Sequence, residues 1–234
     1  MKKIIIFLCI MNIFLCTLYI KKTNTIYSVS KTERNNENSI NKIDEIHKSK
    51  IKIYFPITNY QLLDSKINDI IKYYLNEFNT SISENKFQRD TFYTLYILYD
   101  EYNYKQYASY ILYIEIFTGG AHPNHFIKTI IYDKNDDRLI NIDDLINYNK
   151  NILNILSEES RTILKSNPKF TNAYSHDMLY EGTEPTIENF SNFVFTDDGI
   201  KIFFDYYQIA PYYYGVTEIL IPWDKIYKKI NLFY

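Results

Sequence analysis

Residues 118–126 read TGGAHPNHF and hold two of the chain's five glycines and two of its four histidines. Imidazole is the common metal ligand and the common general base near neutral pH. His122 and His125, joined by a carboxylate such as Asp177 beside His176, have the residue types of a metal-dependent hydrolase site. Histidines three apart share a helical face. Pro123, however, fixes its own φ and biases His122 toward extended backbone, which works against a helix. A simpler reading is a tight connection between two strands, because Gly119 and Gly120 can take backbone angles that other residues avoid. A third is a binding loop carried by a rigid sheet, with His122, Pro123 and His125 at a partner surface.

The second chemistry-bearing segment is 205–215, DYYQIAPYYYG, with Pro211 and Gly215 as punctuation. Its aromatic content breaks both helical and strand periodicity. It reads as an irregular wall closing the core. Alternatively it is a contact surface in which Tyr206, Tyr212, Tyr213 and Tyr214 meet a ligand, since tyrosine stacks on sugar rings and is enriched at protein interfaces.

The carboxylates are less suggestive. Asp143 and Asp144 would serve a glycosidase only with a second acid across a cleft; Asp143 as a helix cap is the plainer reading. Asp197, Asp198 and Gly199 spell a turn. The sequence contains no GxSxG, P-loop or HExxH motif. No catalytic residue, metal or other cofactor is expected.

A net charge of −2 without a basic block argues against nucleic-acid binding. The chain has 25 tyrosines and 15 phenylalanines, which suit half-buried strands and binding surfaces; a coding bias toward Ile, Asn, Lys and Tyr would also produce them. Cys9 and Cys16 both fall in the first 20 residues, so the rest can form neither a disulfide nor a cysteine-based zinc site. Residues 1–22 combine a basic start with an apolar run at 4–20, the pattern of a signal peptide or an uncleaved anchor. Either puts the remainder outside the cytoplasm, touching a membrane only through 4–20. Residues 23–50, rich in Asn, Ser, Lys and Glu, read as a flexible linker.

The elements that must position these residues begin at 51. Alternation over 51–56 predicts a strand ended by Pro56. Ile67, Ile70, Ile71, Tyr74, Leu75 and Phe78 recur at helical spacing, with Asp64 or Ser65 as cap. Stretches 92–99, 107–117 and 126–132 read as an antiparallel meander broken at 100–103, 118–125 and 133–137. A helical turn at 143–146 and a helix over 149–164, ended by Pro168, follow. Residues 169–188 carry no clear pattern. A hairpin over 190–204 turns at Thr196-Asp197-Asp198-Gly199; a strand at 217–221 and a helix over 225–230 complete an α+β fold, an antiparallel sheet with packed helices.

In order along the chain stand IKIYFP at 51–56, FTGGAHP at 117–123, YD at 132–133, INIDDL at 140–145, FTDDGIKIFF at 195–204, DYYQIAPYYYG at 205–215 and ILIPW at 219–223. This series resembles the extracytoplasmic domain shared by lysozyme-sensing anti-sigma factors and some peptidoglycan deacetylases of Gram-positive bacteria. That domain is known in two adjoining parts, here 51–117 and 118–234. The resemblance implies recognition of a lysozyme-like protein or of cell-wall glycan. With three residues before the apolar run, a sigma-binding segment is not expected, and neither is a separate deacetylase domain. The expected role is therefore recognition without catalysis, as sensor, decoy or inhibitor of a muramidase.

Overall fold

The computed structural model describes residues 28–31, 37–44, 48–84, 92–171 and 176–227. Strands β1 (Ser28–Lys31), β2 (Glu37–Asp44) and β3 (Ser49–Pro56) precede helix α1 (Gln61–Glu84). Strands β4 (Tyr93–Tyr104), β5 (Tyr107–Phe117), β6 (Asn124–Asp133) and β7 (Arg138–Ile140) then run as a meander. The seven strands form one sheet in sequence order. Every pairing is antiparallel except β3 with β4. A parallel pair needs a crossover, and α1 supplies it.

The apolar stripe read from the sequence lies on α1. Leu63, Ile67, Ile71, Tyr74, Leu75, Phe78 and Ile82 are buried against alternate residues of β3, β4 and β5, among them Ile53, Leu95, Ile97, Leu112 and Ile114. Burying side chains of this size stabilises by about 1.5–3 kcal/mol each, so this one face anchors the sheet.

Beyond β7 the chain builds a second core. Helices α2 (Ile142–Tyr148), α3 (Ile152–Ser166), α4 (Pro168–Thr171) and α5 (His176–Glu181) lead to strands β8 (Phe193–Phe195), β9 (Gly199–Phe204) and β10 (Thr217–Pro222), then α6 (Trp223–Tyr227). β8, β9 and β10 form a small antiparallel sheet. It meets the large sheet on the face opposite α1, where Ile111 and Ile127 pack with Val194 and Phe203. The β4–β5 hairpin tip is tied to this layer as well. Tyr104 stacks on Trp223 at 4.9 Å, and Trp223 Nε1 donates to the Thr196 carbonyl at 2.9 Å.

The α+β class holds, and several boundaries are corrected. The expected linker at 23–50 contains β1 and β2, and β2 pairs with β3 along its whole length. Buried Ile40 gives β2 a place in the first core. β4 does not break at 100–103 but continues to Tyr104 and turns over Lys105 and Gln106, with Lys105 at φ 51°. α1 starts at Gln61, and Asp64 reaches back to accept from the Thr58 amide and hydroxyl. The cap of α2 is Asn141 rather than Asp143. The Asn141 side chain accepts from the Asp143 and Asp144 amides while Asp144 accepts from the Asn141 amide, a complete capping box. Asp144 also holds Arg138 at 2.6 Å. α3 begins at Ile152 and stops before Pro168, as a proline following Asn167 requires. The expected signal or anchor segment, 1–22, lies outside the described residues, as do 228–230 of the last helix. Among the described residues no helix is long and apolar enough to cross a membrane.

Candidate functional site

The structure brings the two singled-out segments together. After β5 the backbone turns through Gly119 and Gly120 at φ 99° and 111°, conformations that side-chain-bearing residues rarely adopt. It then re-enters the sheet at Asn124. His125 is the second residue of β6 and stands opposite Glu115 of β5. Alternation of side chains across a strand sends Asn124 and Phe126 toward α1 and His125 to the other face. There the chain between β9 and β10 meets it.

The His125 ring lies flat on Tyr206, with centroids 4.4 Å apart and planes at 11°. His122 stacks on Tyr212 at 4.2 Å and 28°. Tyr212 links the two stacks, lying 5.1 Å from Tyr206 and 5.8 Å from His125. The Pro123 carbonyl accepts the Tyr212 hydroxyl at 3.2 Å. It also lies 2.8 Å from His122 Nδ1, so the tautomer protonated there donates to it. Tyr207 joins from the rim, 5.6 Å from Tyr212, at φ 62°.

The remaining named residues divide. Tyr213 is 72% exposed, the highest value for a large hydrophobic side chain among the described residues. Tyr214 turns inward, stacks on Phe170 at 5.5 Å and packs on the second core. Pro211 precedes and Gly215 follows the single 3₁₀ turn of Tyr212–Tyr214. Gly199 begins β9, facing Pro222 of β10; a Cβ there would fall 2.1 Å from the Ile221 carbonyl oxygen, so the glycine serves close strand approach. Asp177 is exposed on α5. Among the described residues no three His, Cys, Asp or Glu side chains gather as a metal ion requires.

Three positioning residues escaped the sequence reading. Asp205 sits between β9 and the tyrosine turn. Its carboxylate accepts from the Tyr206 amide at 2.8 Å and from the Ile127 amide of β6 at 3.3 Å. Gln208 closes that turn: its Oε1 accepts the Asp205 amide, and its Nε2 donates to the Gly182 and Asn189 carbonyls. Glu115 faces His125 with Oε2 3.9 Å from Nδ1. A lone acid inside the apolar run YILYIEIF was the available signal for Glu115, and an Asp directly after a strand was the signal for Asp205.

Burial sets the electrostatics. It lowers the His125 pKa below the ordinary histidine value, against the opposing pull of Glu115 and Asp205. It raises Asp205 above the ordinary carboxylate range in spite of the two amides it accepts. Tyr206 is raised by burial, then by Tyr212 and the nearby acids. Burial thus favours the neutral forms of both rings in the His125–Tyr206 stack.

Comparison with known proteins follows the same architecture. Residues 142–224 match the model of a family described as a protein of unknown function, DUF3298. The peptidoglycan-N-acetylmuramic acid deacetylase PdaC of Bacillus subtilis (strain 168) is 37% identical over 105 residues, 45% of this chain. The match spans 22% of that protein's length. A DUF3298 family member from Bacteroides fragilis NCTC 9343 superposes with a TM-score of 0.51 at 17% identity, covering 88% of this chain and 90% of that one. A DUF3298 family protein from Pseudomonas aeruginosa PAO1 gives 0.54 at 15% identity, covering 86% and 90%. At these identities the two structures share the fold. The expected resemblance to a peptidoglycan deacetylase holds over the matched stretch, and the similarity to the DUF3298 family lies in residues 142–224.

Proposed function

We propose that this chain is a non-catalytic recognition module displayed outside the cytoplasm, and that it docks a lysozyme-like muramidase through its histidine–tyrosine cluster. The observation that carries this reading is the union of His122 and His125 with Tyr206 and Tyr212 in one stacked surface. Tyrosine offers a large, rigid, amphipathic contact at low entropic cost, and such anchors dominate protein interfaces. Stacking and the shared Pro123 carbonyl fix the rings before a partner arrives, which reduces the ordering cost of binding. The faces turned to each other leave ring edges, hydroxyls and exposed Tyr207 and Tyr213 for contact, a geometry suited to a protein surface. Extracytoplasmic display is supported by the apolar run at 4–20 and by kinship with a protein named as a peptidoglycan deacetylase. The choice of a muramidase rests on the family resemblance.

Calorimetric titration of the purified protein with hen egg-white lysozyme tests the proposal. Saturable binding at micromolar Kd or tighter is expected, about −8 kcal/mol or better. Absence of heat at two temperatures overturns the muramidase. The second reading, cell-wall glycan as ligand, is supported by the deacetylase kinship, and purified peptidoglycan is its probe.

A further inference from the structure

A groove of about 820 Å³ opens between α1 and the side of β6 that faces it, on the far side of the sheet from the histidine–tyrosine cluster. Three rings run along its wall. Tyr73 meets Tyr74 edge-on at 5.1 Å, and Tyr74 lies 5.6 Å from Phe126. Tyr74 is buried, whereas Tyr73 is 58% and Phe126 39% exposed. Two large rings therefore present surface to an open cavity.

The polar lining narrows the ligand. Lys66 and Lys128 are balanced by Asp69 and Glu77, so the groove has no net charge of its own. A phosphate backbone or a strongly charged peptide would find as much repulsion as attraction. A purely apolar ligand would strip water from four charged groups and from the Asn124 and Asn192 amides, at a cost that burial of two rings does not offset. The chemistry that fits is uncharged and amphipathic, with an apolar face for Tyr73 and Phe126 and an equatorial rim of hydrogen-bonding groups. A pyranose has that form. The volume stands toward the upper end of the roughly 300–1,000 Å³ of small-molecule sites, which suits several linked sugars rather than one.

We propose that this groove binds a short uncharged glycan, an oligomer of N-acetylhexosamine. Tyr73 and Phe126 stack on pyranose faces, while Asp69, Asn124 and Asn192 meet hydroxyl and acetamido groups. The inference gives the glycan reading a site and does not depend on muramidase docking. Asn124, His125 and Phe126 are consecutive in β6, so one strand carries contacts for the groove on one face and for the cluster on the other.

The test is titration of the ¹⁵N-labelled protein with tetra-N-acetylchitotetraose, followed by amide shifts and repeated with Tyr73→Ala and Tyr213→Ala. Saturable shifts are expected in the middle of α1 and at 124–129. Tyr73→Ala should weaken binding at least tenfold with an unchanged thermal midpoint, because its ring is largely exposed, and Tyr213→Ala should leave binding intact. Lysozyme titration of the same variants should be unaffected by Tyr73→Ala. Shifts confined to 205–215, with loss in Tyr213→Ala, would overturn the groove while leaving a glycan ligand. No saturable shift at millimolar tetrasaccharide would overturn both.

Discussion

The Tyr212 hydroxyl donates to the Pro123 carbonyl at 3.2 Å, across 89 positions of sequence, and His122 Nδ1 lies 2.8 Å from that same oxygen. One carbonyl therefore registers the histidine turn against the tyrosine turn. Tyr212→Phe keeps the ring stacked on His122 and removes only the hydroxyl. It should lower unfolding free energy by about 1 kcal/mol, the net worth of one such hydrogen bond, and weaken lysozyme binding modestly. Tyr212→Ala also removes the ring and should weaken binding at least tenfold. Urea unfolding and calorimetry on both variants check this; equal binding losses in the two would show that the hydroxyl, not the ring, makes the contact.

His125 makes stability fall on mild acidification. Its folded pKa lies below the ordinary value of 6.5 because burial disfavours the charged ring. A depressed folded pKa means that the unfolded chain binds the proton first. The contribution is fully present above pH 6.5 and is lost as pH falls through the folded value. The thermal midpoint should therefore drop between pH 7.5 and 5, and His125→Gln should reduce that drop. NMR titration of the His125 ring protons gives the folded pKa directly; a midpoint at or above 6.5 contradicts the sign.

Asp205 and Asn192 cap an open strand edge. β6 pairs with β7 only from Ile131 to Asp133. Upstream, the Ile127 amide donates to Asp205 Oδ2 and the Thr129 amide to Asn192 Oδ1, both at 3.3 Å. An unpaired buried amide costs about 1–3 kcal/mol, and an open edge invites pairing with another chain. Asp205→Ala should destabilise by about that amount and speed hydrogen exchange at Ile127. Asn192→Ala should do the same at Thr129. Unchanged exchange at both amides would show that the edge is protected by packing alone.

The legibility of this fold follows the range of the interactions. The α1 stripe, the β8–β9 turn and the stop before Pro168 are set by neighbours within a few residues, and spacing alone predicts them. β2 was hidden because its strand, ENSINKID, alternates with too few apolar residues to declare itself; its pairing with β3 supplies what composition does not. The end of β4 was hidden because Asp100, Glu101 and Asn103 are exposed and mimic a loop. Both halves of the candidate site were legible as odd segments. Their union was not, because it depends on the second core folding back over the sheet.

Gly182 carries the last prediction, because it fixes the turn that presents Tyr206. A Cβ built there falls 2.0 Å from the Gln208 carbonyl oxygen and 2.8 Å from Ile209 Cγ2. The first obstacle is backbone, so it cannot swing aside as a side-chain end would. Gln208 Nε2 meanwhile donates to the Gly182 carbonyl at 3.0 Å, so separating the two segments also loosens the Asp205 turn. Overpacking of this kind costs about 1–3 kcal/mol, and Gly182→Ala should fall at the upper end. Because Gln208 braces Asp205, and Asp205 accepts the Tyr206 amide, the variant should also disturb the His125–Tyr206 stack. The expected result is a lower denaturation midpoint together with a changed ring-current shift of the His125 protons. A stability loss with the His125 shifts unmoved would mean that the turn is held from the β6 side by Asp205 alone.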